Sequence, residues 1–262
     1  MPIAEINGIS MNYSSVGEGE PVVLITGFGG DINFFRAMIP DLAKTRRVVV
    51  FDNRGAGSTE CPRGFTGKDM VDDVAALMDH LSVFRAHILG WSMGGHIAQE
   101  FALRHPGRVA SLTLVSAYAR RPSRSSYIMN SMIDASLAGS DPIIIWEMVN
   151  AFCFTENYFA DRERRNKRPG VPGYTNPEGV KGQMIALDDF DTRNTAHLIT
   201  APTLVIHGDA DIMVEPKMGE WLAKTIPGAK YHAVRGEGHI IRPALYRDAF
   251  VAHMNANPVR KA

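Results

Sequence analysis

The alternation of short apolar runs with stretches of helical periodicity constrains this chain more than any other property of its sequence. Val22–Ile25 and Val48–Phe51 are continuous apolar segments, and Arg85–Leu89, Val109–Val115, Thr203–Ile206 and Lys230–Val234 read as further strands. Runs without polar interruption suit strands buried on both faces. Between them, Phe34, Met38, Ile39 and Leu42 space like one helix face. Val71, Val74, Ala75, Met78 and Leu81 do the same over 68–82, as do Ile97, Ala98, Phe101 and Ala102 in the next segment. His105-Pro106-Gly107 stops that third helix. Another helix is expected over Glu215–Thr225, and a C-terminal one from Ile241. Strand and helix taken in turn build an α/β fold, a mostly parallel central sheet with helices on both faces. Residues 3–14 alternate apolar and polar around Gly8 and add an antiparallel pair at the sheet edge, for about eight strands in all.

The alternation fails between Ala117 and Leu198, where Ile128, Met129, Met132, Ile133 and the Ile143–Val149 stretch look like short helices. This predicts a core of residues 1–116 and 199–262, interrupted by a helical cap at 117–198. A chain of 262 residues is long enough for one such domain with its insertion. Lys plus Arg and Asp plus Glu number 28 each, so the charge balance offers no footprint for nucleic acid or an anionic membrane. No apolar run approaches the roughly 20 residues of a membrane span, and Met1–Glu5 lacks the basic stretch and apolar core of a secretory leader. Cys61 and Cys153 read as two reduced packing thiols, so a cytoplasmic location is expected. Oligomeric state, monomer or homodimer, is not written in these residues.

One strand-to-helix junction carries chemistry. Gly90-Trp91-Ser92-Met93-Gly94 lies between the Arg85–Leu89 strand and the helix of Ile97 and Phe101. A Gly-x-Ser-x-Gly turn of this kind forces strained backbone at the serine, so the flanking Gly90 and Gly94 must lack bulk. It lifts the Ser92 hydroxyl out of the sheet and aims the unpaired N–H groups of the helix N-terminus at negative charge developing beside it.

A serine hydroxyl is a poor nucleophile until a base takes its proton, and that base is normally a histidine oriented by a carboxylate. Ligands of open parallel sheets bind beyond the carboxyl ends of the strands. Two loops qualify there: His207–Val214, with Asp209 and Asp211, and Arg235-Gly236-Glu237-Gly238-His239. Serine before acid before histidine is the order expected with such a turn. His239 sits between glycine-rich sequence and a helix start, as a loop-mounted base should. His80, His105 and His253 fall on helices, His87, His207 and His232 within strands, and His96 one helical turn past Ser92 in a packing position. Asp209, closer to the strand, suits an Asx-type brace of the turn, but spacing alone leaves both aspartates in contention. No histidine pair with an adjacent glutamate shows the helical spacing of a metal site.

Taken together, the Thr26–Gly30 loop, the Asp52–Ser58 loop, the Gly90–Gly94 turn, the acid loop and the His239 loop resemble an α/β-hydrolase in their order over nearly the whole chain. The resemblance implies Asp211 as the acid, three residues after the loop glycine. The alternative acid position of some members, after the preceding strand, is filled here by Ser116–Ala119, without a carboxylate. It also implies an oxyanion hole from the backbone N–H groups of Phe28 and Met93, structural bracing by Asp52 and Arg54, and no cofactor or metal. Thr26 stands where many members carry histidine, which bears on how the loop is braced. The pattern is most similar to the carboxylesterase and 3-oxoadipate enol-lactonase group, although Ile240-Ile241-Arg242-Pro243 departs from the Glu-x-Pro found there in many members.

The implied activity is a serine hydrolase acting on a small carboxylic ester or lactone. Perhydrolase and carbon–carbon bond hydrolase share the same residues, and a ligand-sensing or partner-binding protein with slow turnover is the non-enzymatic alternative. Met129, Trp146, Phe152 and Phe154, with Met132, Met148 and Tyr158, are candidates to line a pocket over Ser92, joined by Met213 and Ile240 beside the acid and the histidine. The Arg162–Arg168 run is expected on a solvated face, where it could draw anionic substrates.

Overall fold

The computed structural model describes residues 2–161 and 176–259. Its sheet has eight strands: β1 Ile3–Ile6, β2 Ile9–Val16, β3 Glu20–Ile25, β4 Arg46–Phe51, β5 Ala86–Trp91, β6 Val109–Val115, β7 Thr203–Gly208 and β8 Lys230–Val234. Their spatial order is β1-β2-β4-β3-β5-β6-β7-β8. β1 and β2 form an antiparallel hairpin that joins β4 antiparallel, and from β4 to β8 every pairing is parallel.

Side-chain alternation along the parallel strands divides the core in two. Val22, Leu24, Val48 and Val50 face one side, against α1 (Ile39–Leu42) and α9 (Arg247–Ala256) through Leu42, Phe250 and Met254. Val23, Ile25, Val49 and Phe51 face the other, against α2 (Gly67–His80) and α3 (Met93–Arg104) through Val74, Leu77, Ile97 and Phe101. Val22–Ile25 and Val48–Phe51 carry no polar interruption because both faces of the sheet are covered there.

Two expected helices differ from the sequence reading. In place of one helix through Phe34–Leu42, a 3-10 turn at Ile32–Phe35 precedes the short α1. Pro40 has no N–H to give an earlier carbonyl, so a helix running through it is interrupted there. The C-terminal helix begins at Arg247, not Ile241. Arg242 is extended ahead of Pro243, as a residue before proline prefers, and a 3-10 turn at Pro243–Leu245 intervenes.

Between β6 and β7 the described residues form helices: α4 Ser123–Leu137, α5 Pro142–Cys153, α6 Glu156–Ala160 and α7 Pro177–Ala186, then 3-10 turns. Where this stretch leaves and rejoins the sheet, its ends are pinned together: Arg120 bridges Asp191, and the Thr192 N–H donates to the Ala119 carbonyl at 2.9 Å. α8 (Pro216–Thr225) then packs on β7. No helix among the described residues is long and apolar enough to cross a membrane.

Candidate active site

Ser92 follows the last residue of β5 directly, with φ 52° and ψ −115°. That region is costly for a residue with a side chain and persists only when its surroundings enforce it. Close packing does so here: a Cβ on Gly90 would lie 2.1 Å from the Gly94 carbonyl oxygen, and one on Gly94 would lie 2.2 Å from that of Ile25. The turn is therefore clamped against α3 on one side and β3 on the other.

Three loops from the carboxyl ends of β5, β7 and β8 meet above the sheet. His239 Nε2 lies 3.0 Å from Ser92 Oγ, and His239 Nδ1 lies 2.8 Å from Asp211 Oδ2. Asp211 Oδ1 accepts from the N–H groups of Met213 at 2.9 Å and Val214 at 2.8 Å. Burial pushes the Asp211 carboxyl up, but His239 and His207 beside it prevail and hold it down at about 2. An ionised carboxylate can only accept, so His239 Nδ1 donates and Nε2 is left to accept from the serine hydroxyl. The other candidate acid is elsewhere: Asp209 is exposed and its Oδ1 accepts from Gly236 N–H at 2.7 Å, tying the acid loop to the His239 loop.

Four supporting side chains had no signal in the sequence. Trp91 Nε1 and Ser116 Oγ both donate to the His239 carbonyl, at 3.1 and 2.8 Å, fixing His239 to β5 and to the end of β6. His207 Nε2 donates to the Val214 carbonyl at 2.9 Å and lies 3.2 Å from Asp211 Oδ2, so the carboxylate faces two imidazoles. Gln183, fully buried on α7, accepts from Gly29 N–H at 2.9 Å and donates to the Arg54 carbonyl at 2.7 Å. No local pattern could tie Gln183 to the glycine loop, because the contact crosses most of the chain.

That loop carries Phe28, which lines the cavity over Ser92, while Met93 is the first residue of α3, where a helix leaves N–H groups without intrahelical acceptors. Thr26 takes part in bracing: its hydroxyl donates to the Gly30 carbonyl at 3.1 Å, and Asn53 Nδ2 donates to its carbonyl at 3.1 Å. Asp52 accepts from Asn12, Ile32 N–H and Ser58 N–H at 2.7–2.8 Å, and Arg54 Nη2 donates to Asp73 at 2.8 Å. Both residues thus brace neighbouring loops away from Ser92.

The cavity over Ser92 has a volume of about 60 Å³. Trp146, Met129, Met213 and Ile240 line it with Phe28, as does Tyr118. Burial pushes the Tyr118 phenol up to about 12 despite the positive charge of Arg121 nearby, so it stays protonated. Phe152 and Phe154 do not line the cavity, which corrects that expectation. α5 presents Trp146, Val149 and Cys153 at helical spacing; Phe152 lies off that stripe, and Phe154, the helix C-cap, stacks on Tyr158 at 4.0 Å. Met132 borders a smaller adjoining cavity, and Met148 is exposed. The Arg162–Arg168 run lies outside the described residues. His96 is buried against Tyr118 and Phe190, and burial lowers it to about 4, which keeps it neutral. Among the described residues no group of three or more His, Cys, Asp or Glu side chains is arranged to hold a metal ion.

A model of the α/β-hydrolase fold family matches residues 20–242, and the chain belongs to that family. Among solved structures, it is similar to the enol-lactonase of Burkholderia xenovorans LB400, with a TM-score of 0.85, 30% identity, and 96% of this chain and 97% of that one covered. The meta-cleavage product hydrolase of Pseudomonas fluorescens IP01 gives a TM-score of 0.81 at 26% identity, with 98% of each chain covered. A Pantoea ananatis protein assigned as the carbamate hydrolase RutD is 27% identical over 243 residues, 87% of this chain and 86% of its own length.

Proposed function

We propose that the protein is a serine hydrolase that cleaves a small carboxylic ester or lactone. The observation that carries this reading is the unbroken path from Asp211 through His239 to Ser92 on the wall of an apolar cavity. In this scheme Ser92 Oγ attacks the substrate carbonyl while His239 Nε2 takes its proton. The carbonyl oxygen gains negative charge facing the N–H groups of Phe28 and Met93. Collapse expels the alcohol, which receives the proton from His239 and leaves an acyl group on Ser92. Water, deprotonated by His239, attacks that acyl group, releases the acid and returns the proton to Ser92.

Each part has a magnitude. Losing one oxyanion donor costs about 3 kcal/mol in comparable sites. Asp211, ionised and held by two N–H groups, stabilises the imidazolium formed in each step without taking its proton. The small apolar cavity supports a compact substrate, and similarity to an enol-lactonase supports lactones among the candidates. With both cysteines free, a reducing cytoplasmic compartment suits the protein.

The test is a hydrolysis screen over short acyl esters, lactones and enol-lactones, with the Ser92→Ala variant as control and a fluorophosphonate probe alongside. Turnover abolished by the substitution, with labelling at Ser92, is the expected result. Labelling of Ser92 without turnover across the panel would instead make this a ligand-binding member of the family.

A further inference from the structure

Among the described residues lining the cavity there is no carboxylate and one permanently charged side chain, Arg121. Its side chain is 9% exposed, while its ion-pair partner, Asp188, is 71% exposed on the outer side. The two guanidinium nitrogens are unequally served. Nη2 faces Asp188, whereas Nη1 is set against the sulfur of Met184. A thioether is a weak acceptor, so a strong, charged donor at the cavity wall is left without a partner of matching strength.

On its other side Arg121 borders a surface groove that shares Arg121 and Leu187 with the cavity. Arg120, Arg124 and Arg193 line this groove as well, against Asp188 and Glu215. Arg193 is already paired with Asp191 at 2.6 Å, and Glu215 with Lys217 at 2.5 Å. The balance along the groove remains cationic and leads to the Arg121 guanidinium. An excess of positive charge along a groove raises the local concentration of anionic ligands.

We propose that Arg121 is a specificity-determining residue that binds a free carboxylate on the substrate, so that the preferred ester or lactone is an anion. This rests on the hydrolase reading above and adds the chemical class of the substrate. A carboxylate entering the cavity replaces the Met184 sulfur as the acceptor for Nη1, while Asp188 holds Nη2 from outside. Asp188 therefore competes for the guanidinium charge, which fixes the sign of its substitution.

The experiment compares charged esters with neutral isosteres: monomethyl succinate against methyl isocaproate, and β-acetoxypropionate against isoamyl acetate. For whichever charged ester turns over, Arg121→Gln is expected to raise KM about tenfold or more, with the neutral isostere changing less than about twofold. Arg121→Lys should recover part of the loss, and Asp188→Asn should lower KM for the charged ester alone. Equal effects on charged and neutral esters, or preference for the neutral member of both pairs, would overturn the assignment. Succinate binding to the Ser92→Ala protein, read by calorimetry, separates this from the hydrolase reading. If no ester is cleaved, binding that is lost on Arg121→Gln sustains the carboxylate site without the hydrolase, and binding unchanged by that substitution rejects it.

Discussion

At the scale of single residues, the decisive contrast is between two aspartates two positions apart. Asp211 reaches His239 because β7 ends one turn earlier and its carboxylate is captured by Met213 and Val214 N–H, whereas Asp209 turns outward to Gly236. Asp211→Asn is therefore expected to lower kcat by about 10⁴-fold, by analogy with the same change in serine proteases, and Asp209→Asn to leave kcat within a few-fold. Ester kinetics on the two variants checks the ranking, and the reverse order would reassign the acid. Ser92→Ala should cost roughly a million-fold in kcat. Ser116 offers a subtler case, because its hydroxyl is one of two donors on the His239 carbonyl. Losing a neutral hydrogen bond of about 1 kcal/mol predicts a several-fold drop in kcat/KM for Ser116→Ala, with Trp91 still holding the loop.

Among elements, the Asp211 and His239 loops touch through backbone. A Cβ on Gly208 would lie 2.3 Å from the Glu237 carbonyl oxygen and 2.4 Å from that of Gly238. Gly208→Ala must push the two loops apart, so kcat should fall by well over tenfold even in protein that still folds, a comparison made by activity against circular dichroism. The strands, most helices and the loops at the strand ends were legible because each is a local pattern: apolar runs, helical spacing, glycine turns. The Ser92 turn is the clearest, since strand, glycines and helix are contiguous. What stayed hidden is the work of residues far apart in the chain. Gln183 on α7 supports Gly29, and Trp91 and Ser116 support His239, through contacts that no periodicity encodes. Phe152 and Phe154 show the same limit, since apolar character on a helix does not say which stripe faces the cavity.

For the whole molecule, stability should depend on acidity through two imidazoles remote from Ser92 in function. Burial holds His87 and His96 at about 4, below the ordinary value of about 6.5. Between those values the unfolded chain binds more protons, so stability is complete above about pH 6.5 and is lost as pH falls through about 4. Each group contributes at most about 1.4 kcal/mol per pH unit over that window. Urea unfolding from pH 4 to 7 should show this slope, and His96→Phe should flatten it; an unchanged slope would exclude His96 as a source. The pinned ends of the helical stretch between β6 and β7, at Ala119–Thr192 and Arg120–Asp191, have a separate consequence. A segment that departs and returns at one spot can be transplanted between relatives without rethreading the sheet, yet α7 carries the acceptor for Gly29. Any graft must therefore bring its own glutamine-like group, or the recipient is left with a slack Gly29 loop.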